Sequence, residues 1–130
     1  MNARPRVCLI DDDIHARDAL GLGLRDAGFD VVAAPGVAAG LDVVARKGAD
    51  AIVTDLHMPG TDGAQLIAEA RTRWPEIPIV IVTGSATFGG ENVNAVAARL
   101  GADALMVKPF RADELAQRLA ALFVKKSAPG

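Results

Sequence analysis

The residues of this chain best able to do chemistry each follow a short apolar run. Asp11-Asp12-Asp13 follows VCLI, Asp55 follows AIVT, Thr83 follows IVIV, and Lys108 follows ALMV. Carboxylates brought together repel one another, and the repulsion is relieved by raised pKa values or by a bound cation. Magnesium suits such a group, because it takes oxygen ligands from one or two carboxylates and keeps room for waters and phosphate oxygens. A lysine ammonium and a threonine hydroxyl complete a set able to hold a phosphoryl group while its charge redistributes. The set fits phosphoryl transfer to a carboxylate.

For these residues to meet, the runs that carry them must lie side by side and point the same way. Short β-prone runs alternate with longer stretches of helical periodicity, which predicts repeated βα units on a parallel sheet. The strands read as Arg6 to Ile10, Asp30 to Ala33, Ala51 to Thr54, Pro78 to Val82 and Ala104 to Val107. Helices are expected near Ile14 to Ala27, Val37 to Arg46, Asp62 to Arg73, Glu91 to Leu100 and Ala112 to Phe123. Gly28, Gly48 and Gly101 stand where left-handed helix caps would stop the chain, and Asp62 with Gln65 has the spacing of a capping box. Pro59-Gly60 reads as a turn after the third strand. Gly21 and Gly23 weaken the first helix by about 1 kcal/mol each relative to alanine, a cost that tertiary packing must offset. Right-handed crossovers make the doubly wound, flavodoxin-like α/β (βα)5 fold with strand order 2-1-3-4-5 the simplest solution. In that fold the four reactive strand ends converge on one edge, where such proteins do their chemistry.

The rest of the chain sets limits. With 130 residues, 51% of them hydrophobic, and a formal charge of -2, it has the size and composition of one globular domain rather than a disordered or generally nucleic-acid-binding chain. Residues 1-124 are expected to form that domain, and 125-130 a solvated tail or the start of a linker. Cys8, the single cysteine, lies inside VCLI and reads as a core residue. The basic N-terminus has too short an apolar run for a signal peptide, and IPIVIV is too short to span a bilayer, so a cytoplasmic location with no membrane contact is expected. Met1 close before the first strand suggests a natural N-terminus. The basic residues form no dense stripe and no helix-turn-helix follows the last helix, so DNA binding by this segment is not expected; any such effector would lie on another chain or beyond Gly130.

In order along the chain, LIDDD, VTDLHMPGTDG, IVIVTG and MVKPF resemble the matching stretches of the receiver domain of two-component response regulators, of the chemotaxis-regulator kind. The resemblance covers essentially the whole chain. It implies Asp55 as phosphoacceptor, Asp11 and Asp12 as the acidic pair that recruits Mg2+, and metal contacts from Asp55 and from the backbone carbonyl of His57, whose side chain would be exposed at the mouth of the site. Thr83 and Lys108 would bind the phosphoryl group, with the Lys108-Pro109 peptide cis. Asp13 opens the first helix and reads as its N-cap. The implied donor is a phosphohistidine on a histidine kinase or histidine phosphotransfer protein. The chain would then act as an enzyme only upon itself. The output would pass through the face of helix four, strand five and helix five, where a partner or a second copy, giving a homodimer, would dock.

Two departures stand out. The family usually carries an aromatic three residues before the lysine; here it is Leu105, and the chain has no tyrosine. Leu105 is therefore an atypical switch position, and a modified switch is expected. The stretch SATFGGEN makes the interval from Thr83 to Lys108 longer than usual, and its paired glycines suggest a mobile loop. Phe88 within it reads as a gate, a solvent-facing residue or a core anchor. The strongest alternative function is an aspartate-nucleophile phosphatase of the haloacid-dehalogenase kind, built on Asp11-x-Asp13, Thr83 and Lys108. It is disfavoured because His15 stands where that pattern needs Thr or Val, no acidic pair follows Lys108, and no cap domain fits. A flavin- or dinucleotide-binding module is disfavoured because Gly21-Leu22-Gly23 lies inside a helix.

Overall fold

The computed structural model describes residues 4–58 and 61–127. Five strands form one parallel sheet: β1 (Arg6–Ile10), β2 (Asp30–Ala34), β3 (Ala51–Asp55), β4 (Ile79–Thr83) and β5 (Ala104–Val107). Their order across the sheet is β2-β1-β3-β4-β5, the order expected for the flavodoxin-like fold. Five helices alternate with them: α1 (Ile14–Asp26), α2 (Val37–Lys47), α3 (Gly63–Arg73), α4 (Val93–Leu100) and α5 (Ala112–Ser127).

The period of two along each strand sorts the core into two layers. Cys8, Ile10, Ile52, Ile79 and Ile81 face α2, α3 and α4. Val7, Leu9, Val53, Val80 and Val82 face α1 and α5, where Leu115, Leu119 and Leu122 complete the layer. Both faces are covered, which is why the strands read as continuous apolar runs. Burial also pushes the Cys8 thiol up to about 12, which keeps it protonated and inert, as its place in the core suggested.

The two glycines that weaken α1 have a packing role. A methyl group on Gly23 would collide with the Cβ of Ala112 at the start of α5, and Gly21 is buried against Val31 and Leu9. At Gly23 the helix thus approaches α5 more closely than alanine would allow, whereas a methyl group on Gly21 would meet Val31 and Leu9 only at ordinary van der Waals distance.

Some boundaries differ from expectation. α5 continues to Ser127, past the expected end at Phe123, so Lys125 and Lys126 are helical and Lys126 pairs with Asp103 at 3.2 Å. Glu91 and Asn92, expected in α4, pair instead with Thr87–Phe88 as a two-stranded antiparallel ribbon. The predicted mobile loop is therefore a short hairpin. Gly89 and Gly90 reverse it with φ of 60° and 83°, the two positive values that a type I′ turn needs. Asn92 then caps α4, accepting the amide of Asn94 at 2.8 Å. The Pro59-Gly60 turn lies outside the described residues, as does the Asp62 side chain on which the capping-box expectation rests. No helix among the described residues is long and apolar enough to cross a membrane.

Candidate functional site

At the carboxyl edge of the sheet the strand order reverses on either side of β1, and the loops after β1, β3 and β5 meet there. Asp11 follows β1 directly and is 1% exposed; Asp55 ends β3 and is 7% exposed. Lys108, one residue past β5, reaches back between them, with its Nζ 3.2 Å from Asp55 Oδ2 and 3.5 Å from Asp11 Oδ2. The peptide bond from Lys108 to Pro109 is cis. The lysine amide donates to the Thr83 carbonyl at 2.7 Å, which fixes the base of the side chain to β4.

Each buried carboxylate is held at its other oxygen by the main chain. Asp11 Oδ1 accepts the Asp13 amide at 3.0 Å, and Asp55 Oδ1 accepts the His57 amide at 2.9 Å. Among the described residues no buried side-chain nitrogen or oxygen lacks a hydrogen-bond partner. Burial alone would pull the Lys108 ammonium down; the charges of Asp11 and then Asp55 outweigh it and hold its pKa above the ordinary lysine value. The ammonium is thus a fixed positive charge lying against both carboxyl groups.

Asp12, next in sequence, is exposed rather than part of this buried contact. Asp13 accepts the amides of His15 and Ala16 at 3.0 and 3.3 Å and so caps α1, as expected, instead of facing Asp11 as a second catalytic carboxylate. Thr83 is fully buried, and its hydroxyl accepts the Ser85 amide at 3.1 Å. In register, Asp55 pairs with Val82, so Thr83 lies one step beyond it on the neighbouring strand. Leu105 is half-buried against the core on the α4 side of the sheet. His57 is exposed, and Phe88 packs against its ring edge-on, with centroids 5.1 Å apart. Arg17 was not singled out by sequence reasoning, yet it donates to the Asp11 carbonyl at 2.9 Å and steadies the turn after β1. No spacing rule marks that contact, because its acceptor is main chain.

Gly63 opens α3 directly behind the phosphoacceptor candidate. A methyl group there would run into the carbonyl oxygen of Asp55 and the Cα of Leu56, so only glycine lets the helix start this close to the end of β3.

The donor set fits a small hard cation. Asp11, Asp12 and Asp55 with Lys108 carry a formal -3 + 1 = -2, which one divalent ion would balance. Two converging carboxylates are the number Mg2+ takes from protein when main-chain carbonyls and water supply the rest. Among the described residues no three His, Cys, Asp or Glu side chains are grouped so that they could hold a metal ion together.

The sequence profile described as "Response regulator receiver domain" matches residues 7–120. The chain belongs to the response regulator receiver family. Among its relatives, the response regulator protein FleR of Pseudomonas aeruginosa is 37% identical over 110 residues, which are 85% of this chain and 23% of FleR. The transcriptional regulatory protein FixJ of Bradyrhizobium diazoefficiens is 34% identical over 115 residues, 88% of this chain and 55% of FixJ. The receiver thus spans from about a quarter to about half of the length of these relatives. Among solved structures, the chemotaxis protein CheY4 of Vibrio cholerae aligns with a TM-score of 0.83 at 26% identity, covering 92% of this chain and 99% of that one. A CheY-like receiver domain protein from Methanospirillum hungatei aligns with a TM-score of 0.87 at 22% identity, covering 95% and 97%, and speaks to the fold alone. This family membership excludes the haloacid-dehalogenase alternative.

Proposed function

We propose that this receiver accepts a phosphoryl group on a carboxylate oxygen of Asp55 from phosphohistidine on a histidine kinase or histidine phosphotransfer protein. The observation that carries the reading is the Lys108 ammonium lying between the buried carboxylates of Asp55 and Asp11 at the carboxyl edge of the sheet. Asp55 is the nucleophile: its main-chain contact to His57 fixes one oxygen and the plane of the group. Lys108 neutralises charge that the incoming phosphoryl oxygens bring, and Thr83 can turn its hydroxyl from Ser85 to one of them. Catalysis of this kind is positioning and charge neutralisation. Mg2+ would be held by Asp11, Asp12, Asp55 and the His57 carbonyl, and when bound it supplies further neutralisation of phosphoryl charge. The chain turns over no substrate other than its own phosphoaspartate.

The phosphorylated state adds acceptor oxygens that Thr83 and Lys108 meet with donors, biasing the face formed by α4, β5 and α5 toward one arrangement. A partner or a second copy docks there. With Leu105 in place of the usual aromatic, the readout on that face is modified. Nucleic-acid binding lies outside this segment, and the location is cytoplasmic.

The test is labelling of the purified protein with a phosphodonor, followed by peptide mapping, alongside Asp55→Asn. Acid-stable but hydroxylamine-labile label on the peptide carrying Asp55, lost in the variant, is the expected result. Label on Asp11, or undiminished labelling of Asp55→Asn, overturns the assignment.

A further inference from the structure

The parallel sheet ends at β2, and no strand among the described residues lies beyond it. Along a strand, the main-chain groups of successive residues turn to opposite sides in the plane of the sheet. The Asp30 amide donates to the Pro5 carbonyl at 2.9 Å, and the Ala34 carbonyl accepts the Asp11 amide at 3.2 Å, so Asp30, Val32 and Ala34 face β1. Val31 and Ala33 therefore direct their N–H and C=O groups outward. A row of this kind is a template for another strand. Past Asp30, which pairs with Arg6 at 2.8 Å, the strand reads VVAA, with neither a charge nor a proline to turn a neighbour away.

One side chain lies across the row. Arg25, an exposed residue in the last turn of α1, donates from Nη2 to the outward Val31 carbonyl at 3.3 Å. An incoming strand must break that bond and either expel the guanidinium or bury it without its acceptor, and burying an unpaired charge is costly.

We infer that the β2 edge fits the β2 edge of a second copy, antiparallel and centred on Val32, and that Arg25 holds this surface closed. In that register Val31 and Ala33 of one copy stand opposite Ala33 and Val31 of the other, and each such pair exchanges both of its hydrogen bonds. Every outward group of the two residues is met, which makes the edge complementary to itself. Asp30 falls opposite Ala34, so no like charges meet across the pair. Leu22 is 62% exposed and stands three residues before Arg25 on the same side of α1, where it supplies apolar surface for the second copy to cover. The surface is separate from the face of α4, β5 and α5.

The experiment uses the unphosphorylated full chain and reads the edge itself. Val32→Cys places a thiol on the two-fold axis of the pair, while Cys8 stays buried in the core. Disulfide-linked dimer is measured under a mild oxidant in Val32→Cys, in Arg25→Ala/Val32→Cys, and in the same double variant with Ala33→Pro added. Proline at 33 removes an outward amide and leaves the ladder to β1 intact; Ala33→Lys, which keeps the amide and charges the edge, is run beside it. Sedimentation of Arg25→Ala without the cysteine gives the affinity. Removing a bond from a charged donor lowers the Kd of the pair about 10- to 100-fold relative to wild type. Linked dimer is expected when Arg25 is replaced, little when it is present, and a loss of linkage when Ala33 is also changed. No linkage in Arg25→Ala/Val32→Cys overturns the pairing surface. Equal linkage with and without Arg25 overturns its role as the guard, and linkage that survives both changes at Ala33 overturns the register.

Discussion

Replacing Lys108 by methionine keeps the aliphatic stem and removes the one ammonium that two carboxylates share. At an effective dielectric constant of about 20, its contacts at 3.5 Å to Asp11 and 3.2 Å to Asp55 are each worth about 5 kcal/mol of Coulomb attraction before desolvation. Desolvation of the ammonium cancels much of that, and 32% of the side chain still meets solvent, so the pair is neither a surface bridge nor a fully buried one. Exposed pairs contribute up to about 1 kcal/mol, whereas stripping a buried charge of its partner costs about 3–5 kcal/mol. A loss of about 2 kcal/mol follows, or about 6 °C in Tm for a chain of this size. The pH profile identifies its source. The folded pKa of Lys108 is raised, so its contribution is complete below the unfolded value near about 10.4 and is lost as pH rises through the folded value. Thermal melts of both proteins across the neutral and alkaline range should show a constant Tm gap up to about pH 9.5 that closes above about pH 10.5. No gap at neutral pH, or one that widens toward high pH, refutes the ion-pair account. Methionine should also leave the protein poorly labelled by a phosphodonor, since nothing then neutralises the phosphoryl oxygens beside Asp55.

Two other substitutions probe what positions the site. Asp103→Asn weakens a knot at the opposite edge of the sheet, where the Asp103 carboxylate accepts from the Ile79 amide at 2.8 Å, from Arg71 at 2.6 Å and from Lys126 at 3.2 Å. Burial pushes its pKa up, but these donors together outweigh burial and hold it below the ordinary aspartate value, so its contribution is complete above about pH 4 and is lost as pH falls through the folded value. Chemical denaturation should show a deficit of about 2 kcal/mol at neutral pH that shrinks in acid; a deficit that grows in acid contradicts the assignment. Gly63→Ala forces a methyl group into the main chain of Asp55 and should cost about 1–3 kcal/mol while reducing labelling. The control is Gly84→Ala, where nothing lies within 4 Å of the added carbon and near-normal melting is expected.

The fold was largely legible because both faces of the sheet are buried. The resulting apolar runs, five of them between amphipathic stretches, leave few ways to connect parallel strands, and the observed order is the one the crossover rule favours. What the pattern missed depended on partners far away in sequence. Lys125-Lys126 looks like a solvated end, yet α5 runs through it, and Lys126 finds Asp103 on the connection between α4 and β5. Arg71 spends its guanidinium on the Gly101 and Ile77 carbonyls as well as on Asp103, and a helix-surface arginine gives no hint of that. Gly23 looked like a defect in α1 because the close approach of α5 at Ala112 is a tertiary fact.

The site was legible for a related reason: a polar residue that ends a buried strand has little freedom in where it goes. Asp55 and Lys108 each end or follow such a strand, and they meet. The acidic pair read as equivalent is not. Asp11 is buried and holds Lys108, with one oxygen closing a turn onto the Asp13 amide, whereas Asp12 is exposed to solvent. The least legible part is the hairpin. A two-residue strand is too short to show a period of two, so Gly89-Gly90 read as slack when its positive φ values make a tight reversal. The hairpin sets Phe88 against the ring of His57. Phe88 packs on His57, whose amide holds Asp55, while its neighbour Thr87 is tied through Ser85 to Thr83.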